Sequence, residues 1–245
     1  MQIGLVGQPL SGKTTFFNLL TGAEYQTGVS SGNGAHTGSA VVPDNRINFL
    51  SELYKPRKTT YAQIQFQDIP GAYSQGGTAG LGAALLDKVR GADVLVQVVR
   101  AFNSDIISSV AGEPTPFKDL NDYSTELLLA DLSSVESRIT RIKNARKPVK
   151  DAEALLAVLR HILAALESGQ QMSQVYLDES ERLLIAGHSF LTEKPLILAV
   201  NIDEDQLAAG DYPDREKIIS YAAERDIPEI EVCTLIEMEI NQLPA

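Results

Sequence analysis

Residues 7–14, GQPLSGKT, restrict the possible folds of this chain more than any other stretch. They fit the pattern G-x-x-x-x-G-K-[ST] through Gly7, Gly12, Lys13 and Thr14. The flanks agree with that pattern. QIGLVG, Gln2–Gly7, is a short apolar run ending in glycine, a buried-strand signal, and GKTTFFNLLTG reads as a helix closed by Gly22. Glycine permits the tight path that turns the backbone of Pro9, Leu10, Ser11, Gly12, Lys13, Thr14 and Thr15 inward on phosphate oxygens. The helix N-terminus adds a favourable dipole. In such a loop the lysine, Lys13, reaches the β- and γ-phosphates and the Thr14 hydroxyl ligates Mg²⁺. The plain alternative is an ordinary glycine-rich turn. A second phosphate motif lies in QDIPGAY, where Asp68 ends a strand and Gly71 follows three residues on. Asp68 suits a water-mediated hold on Mg²⁺, and the Gly71 N–H suits contact with a γ-phosphate.

The rest of the chain alternates strand and helix signals. YAQIQFQDI (61–69) alternates apolar and polar residues, ADVLVQVVRAF (92–102) and KPLILAVN (194–201) are mostly apolar, and EIEVCT (229–234) reads as a further strand. Helical stretches fall near 80–90, 178–191 and 213–225. This order predicts an α/β fold with a mostly parallel central sheet covered on both faces, the fold of a P-loop nucleotide-binding domain. Residues 25–40 are rich in Gly, Ser and Thr and read as a mobile loop.

One segment departs from that rhythm. Leu128, Leu132, Val135, Ile139 and Ile142 are spaced 4, 3, 4, 3, and Ala152, Leu155, Leu159, Ile162 and Leu166 are spaced 3, 4, 3, 4. These are two heptad stripes, separated by NARKPVKD with Pro148 as a breaker. They predict an antiparallel helical hairpin over residues 122–168, inserted in a nucleotide-binding domain made of 1–121 and 169–245. The alternative is two amphipathic helices lying flat on the sheet.

The chain carries a net charge of −11, which disfavours nucleic acid over most of its surface. Against that background Arg138, Arg141, Lys143, Arg146, Lys147 and Lys150 fall within 13 residues at the expected hairpin tip, with no acidic residue among them. They read either as a contact for an RNA backbone or as a solvated hairpin end. No aromatic residue interleaves them, so base stacking is not indicated. Cys233 is the single cysteine, no apolar run reaches the roughly 18–20 residues of a membrane span, and the N-terminus lacks signal-peptide features. A cytoplasmic location is therefore expected.

Longer stretches resemble one family, the YchF or Obg-like ATPases. GQPLSGKTTFFNLLTG is similar to its first motif, and DIPG followed by GGTAGLGAALLDKVRGADVLVQVVRAF is similar to the stretch after its third. DIISSVAGEPTPFKDLNDYSTELLLADL resembles its lead into a coiled-coil insert, and FLTEKPLILAVNIDED and CTLIEMEI resemble its base-proximal segments. The resemblance implies a G-domain fold with an inserted coiled coil, Mg²⁺-dependent nucleotide hydrolysis and association with ribosomes. It also implies a base site made by Asn201, Ile202 and Glu204 with Cys233, Thr234 and Leu235 beside it. The fourth motif is then Asn-x-x-Glu, where a GTPase has Asn-Lys-x-Asp. A GTPase aspartate accepts from guanine N1–H and the exocyclic amine. Glutamate is one methylene longer, which shifts its carboxylate from that geometry and favours ATP. The neighbouring Asp203 leaves GTP open.

Two positions bear on hydrolysis. Ala72 stands where many GTPases place a water-orienting glutamine, and Ser109 stands where the family has a histidine proposed to aid hydrolysis. Gly71 and Ser109 are thus the candidates for catalytic positions, and turnover is expected to be slow. The alternative is a nucleotide-binding scaffold with little hydrolysis. Thr27 and Thr37 are both candidates for a switch threonine, and His36 reads as a solvated loop histidine. The family also carries a β-rich C-terminal TGS module after the segment matching CTLIEMEI, and this chain is expected to lack it.

Overall fold

A computed structural model describes residues 1–27, 36–70, 83–145 and 151–243, the side chains of 83–85 excepted. The elements run β1 (Gln2–Val6), α1 (Lys13–Thr21), β2 (His36–Val41), α2 (Asn45–Tyr54), β3 (Gln63–Asp68), α3 (Ala83–Gly91), β4 (Val94–Arg100) and α4 (Asp105–Ala111). They continue with α5 (Pro116–Lys143), α6 (Ala152–Glu167), a 3₁₀ turn (Met172–Gln174), α7 (Glu179–Ile185), β5 (Leu196–Asn201), α8 (Glu204–Ala209), α9 (Arg215–Glu224), β6 (Glu229–Val232) and α10 (Thr234–Gln242).

Six strands form one sheet in the order β2-β3-β1-β4-β5-β6. All neighbours are parallel except β2, which runs antiparallel to β3. The central strands are continuous apolar runs because helices cover both faces. Every residue of β4 from Leu95 to Arg100 is buried. On one face Leu5, Phe16, Phe17, Val98 and Ala199 pack together, and on the other Val6, Ile69, Val89, Tyr123 and Leu191 do. The expected strands are present, and the α/β fold with a mostly parallel sheet is the one observed.

The expected mobile loop 25–40 is corrected at its far end, because His36–Val41 is the edge strand β2. Its composition, HTGSAV, gives little strand propensity, and its conformation comes from the ladder to β3. Gly38 is needed there: a Cβ would sit 2.9 Å from the Thr21 methyl and 3.0 Å from Phe17, so only glycine lets the edge strand close on α1. Helix α2 was not anticipated. Asp44 caps it by accepting from Arg46 N–H at 2.9 Å, yet none of its ten residues is buried.

Position 122 falls inside α5, which starts with Pro116 at its first turn, where proline's fixed φ is favourable. The early turns of α5 belong to the sheet's packing: Leu120, Tyr123 and Leu127 are buried against it, and Gln97 Nε2 donates to Leu120 O at 3.3 Å. Its later turns leave the sheet. Val135 and Ile139 pack with Leu155, Leu159, Ile162 and Leu166 of α6, flanked by Leu128, Leu132 and Ile142. The two heptad stripes therefore face each other. Met172, Val175, Ile185 and Phe190 close the cluster, and no strand residue joins it.

Asp131 joins this cluster to the sheet. It is 1% exposed, and its carboxylate accepts from Leu191 N–H (2.9 Å), Thr192 N–H (2.9 Å) and the Thr192 hydroxyl (2.8 Å). The same Thr192 oxygen accepts from Met172 N–H at 3.0 Å, so one buried group fixes α5, the 3₁₀ turn and the lead into β5. Asp131→Ala would leave these buried donors without their acceptor. It is expected to cost about 3 kcal/mol, read as a lower urea midpoint, with Asp131→Asn costing less because one oxygen remains. An unchanged midpoint for the alanine variant would contradict the assignment.

Candidate nucleotide site

The site lies at the C-terminal ends of β1, β3, β4, β5 and β6, where an open α/β sheet presents its loops. The loop after β1 enters α1 through Gly12, whose φ of 92° lies in the left-handed region. A Cβ on Gly12 would come within 2.2 Å of Asn201 Nδ2. That close approach is used: Asn201 Nδ2 donates to Ser11 O at 3.1 Å. The Asn201 oxygen accepts from the Thr234 hydroxyl at 3.0 Å and from Thr234 N–H at 3.4 Å. One buried amide thus ties the loops after β1, β5 and β6 together.

Lys13 is 6% exposed, and its ammonium donates to Gln8 O at 2.7 Å. Burial pushes its pKa down to about 8, against the opposing pull of the Asp68 carboxylate. The Thr14 hydroxyl donates to Asp68 Oδ2 at 2.7 Å, while Asp68 Oδ1 is buried with no hydrogen-bond partner. A hydroxyl beside a carboxylate with spare lone pairs is a hard-oxygen donor set, which fits Mg²⁺. Among the described residues no group of three or more His, Cys, Asp or Glu could hold a metal. Ser11 is buried and its hydroxyl is also without a partner. Pro9, Leu10 and Thr15 are half-exposed around the loop, Leu10 with a φ of 64°.

The base-loop candidates separate by burial. Ile202 and Cys233 are packed in the core with Val200 and Tyr212, so their side chains position the loops. Thr234 is buried on the Asn201 clamp, whereas Glu204 and Leu235 are exposed. Asp203 is fully engaged: Oδ1 accepts from Gln206 N–H at 2.9 Å and Oδ2 from Asn103 N–H at 2.9 Å and Asn103 Nδ2 at 3.2 Å. It caps α8 in a reciprocal box with Gln206. An open cavity of about 500 Å³ lies beside this loop, lined by Asn103, Asp203, Glu204 and Asp211 among others.

The end of β4 contributes residues that sequence reasoning missed. Buried Arg100 donates to Phe102 O (3.3 Å), Gly112 O (3.0 Å) and the Ser108 hydroxyl (3.0 Å), pinning α4 to the sheet. Asn103 was signalled only by its polarity, and Asp203-x-x-Gln206 by the capping pattern. Ser109, on the next turn of α4, is exposed, and its hydroxyl donates to Ile106 O at 2.7 Å. Gly71 and Ala72 lie outside the described residues. Thr27 is exposed, and Thr37 is in β2 opposite Gln67. His36 is not a solvated loop residue: it stands opposite Asp68 in the β2–β3 register, half-buried, with its ring stacked on Tyr25 at 3.8 Å. Arg138, Arg141 and Lys143 lie on the last turns of α5; Arg146, Lys147 and Lys150 are outside the described residues.

Comparison with known proteins agrees with this geometry. Residues 2–129 match the family model described as 50S ribosome-binding GTPase. The ribosome-binding ATPase YchF of Bacillus subtilis is 36% identical over 98% of this chain and 67% of its own length. The protein of the same name from Haemophilus influenzae is 37% identical over the same shares. The solved YchF GTPase of Schizosaccharomyces pombe superposes with a TM-score of 0.82 at 28% identity, covering 100% of this chain and 68% of that one. Identity of 36% over 98% of this chain, with the phosphate-loop motif and a matching solved YchF structure, places the chain in the YchF family.

Proposed function

We propose that this chain binds a purine nucleoside triphosphate with Mg²⁺ and hydrolyses it slowly, ATP ahead of GTP, as a cytoplasmic switch that acts on the ribosome. The observation that carries the reading is a buried lysine, Lys13, beside the Thr14–Asp68 pair at the start of α1. A cation so desolvated is stabilised by a ligand of high negative charge, and a polyphosphate is such a ligand. Lys13 would pair with the β- and γ-phosphates, and Thr14 and Asp68 would hold the metal. Mg²⁺ there supplies charge neutralisation on the transferring phosphoryl group. Gly71 belongs to the γ-phosphate side of the site on its motif alone.

For the base, Asn201 holds the loop and Glu204 presents the free carboxylate. Asp203, the other carboxylate able to read guanine, is occupied by Asn103 and Gln206. This supports the preference for ATP. The arm over residues 122–168 and the basic tip fit a contact with an RNA backbone, in keeping with relatives named as ribosome-binding ATPases. No helix among the described residues is long and apolar enough to cross a membrane. A second reading, a nucleotide-binding scaffold with little turnover, is favoured by the Ser109 hydroxyl being spent inside its own helix.

Titration with fluorescent ATP and GTP is expected to show tighter ATP binding. Single-turnover hydrolysis is expected to exceed that of Lys13→Ala, and equal rates would favour the scaffold. The Lys13 environment adds a pH test. Its free pKa of about 8 is depressed, so above that pH the lysine is mostly neutral. A bound triphosphate favours the charged form. Binding at pH above about 8 therefore takes up a proton, and affinity falls as pH rises further. Calorimetry at pH 8.5 in buffers of different ionisation enthalpy should show this uptake, absent in Lys13→Ala. Replacing Arg138, Arg141, Lys143, Arg146, Lys147 and Lys150 by Gln should weaken co-sedimentation with ribosomes and flatten its salt dependence.

A further inference from the structure

Helix α2 presents a surface that the nucleotide site does not use. None of its residues is buried. Its apolar side chains point outward: Phe49 is 64% exposed, Leu50 49%, Leu53 59% and Tyr54 75%, with Val41 and Val42 of the edge strand exposed beside them. Residues 49, 50, 53 and 54 share one face by helical spacing. The helix is held instead by polar links to the returning chain: the Ser51 hydroxyl to that of Thr59 at 2.7 Å, and the Tyr61 hydroxyl to Asn48. An isolated helix of ten residues is marginal in water, and an apolar face of this kind on a soluble chain marks an interface.

The rim of that face has a definite sign. Lys55, Arg57 and Lys58 follow the helix, are all exposed, and make no ion pair among the described residues. Arg46 is already neutralised by Asp44 at 2.7 Å, and Glu52 is the only acidic residue from 45 to 61. A net positive rim on a chain of charge −11 selects a negative partner. Aliphatic Leu50, Leu53, Val41 and Val42 outnumber the aromatic rings and offer no stacking plane, so the face suits apolar side chains better than nucleic-acid bases.

We infer that α2 docks an acidic amphipathic segment of a ribosomal protein, its apolar anchors on Phe49, Leu50 and Leu53 and its carboxylates on Lys55, Arg57 and Lys58. This rests on the ribosome-linked reading above and gives it a second contact, at the sheet edge and made with protein. The test uses the full chain, purified ribosomes and two kinds of variant. Phe49→Glu with Leu53→Glu is expected to weaken co-sedimentation about tenfold, the scale of losing buried anchors. Nucleotide affinity and the urea midpoint should stay unchanged, because both positions are exposed. Phe49→p-benzoylphenylalanine, irradiated on ribosomes, should cross-link to a ribosomal protein within an acidic amphipathic peptide. Cross-links to ribosomal RNA, to a basic protein segment or to a second copy of this chain would overturn the inference. So would undiminished sedimentation of the double variant. Failure of the wild type itself to sediment would instead remove the ribosome-linked reading, and this inference with it.

Discussion

A buried asparagine amide has four hydrogen-bonding valences and no way to satisfy them from water. Asn201 spends its valences on Ser11 O, the Thr234 hydroxyl and Thr234 N–H, three groups on two loops that the chain reaches far apart in sequence. Gly12 makes this possible, because any side chain there would occupy the space of the amide. The loops after β1, β5 and β6 are therefore fixed relative to one another. Preorganisation of this kind lowers the ordering cost of binding. It also explains why Ile202 and Cys233, which flank the clamp, face the core.

Charge is distributed with the same economy. Among the described residues, cations without a salt bridge include buried Lys13 in the crevice, Arg141 and Lys143 at the far end of α5, and Lys55, Arg57 and Lys58 in the turn after α2. Lys13 is desolvated, so its charge is poorly screened, whereas the exposed groups act over a Debye length and respond to salt. Arg100 is a fourth case. Its guanidinium is turned inward on carbonyls and a hydroxyl and serves to hold α4.

Much of this was legible in the residues. The phosphate loop is sequence-local, β1, β4 and β5 are apolar runs, and β3 and β6 alternate apolar and polar residues. The heptad stripes marked the α5–α6 contact because their periodicity directly encodes which faces meet. What was not legible depended on partners distant in sequence. HTGSAV is a strand only because β3 pairs with it. The apolar face of α2 has no core to face, so its pattern predicted nothing about burial. The Asn201 clamp spans 190 positions to Ser11. The Pro116 start of α5 and the Asp203–Gln206 box are different, because both carry local signals, a proline in the first turn and a capping pair three residues apart.

Helix α5 has a mechanical consequence. It is one unbroken run of 28 residues, about 42 Å long at 1.5 Å per residue, with its first turns against β4 and its last turns beyond the sheet. Its near end packs on the strand that carries Arg100 and leads to the crevice, and Asp131 anchors it near its middle. A helix of this length bends little over its span, so it behaves as a lever with a fulcrum. A rotation of about 5° about Asp131 displaces the far end, about 18 Å away at 1.5 Å per residue, by roughly 1.6 Å. A tilt at the sheet end of the helix is thereby carried to the turns that hold Arg138, Arg141 and Lys143.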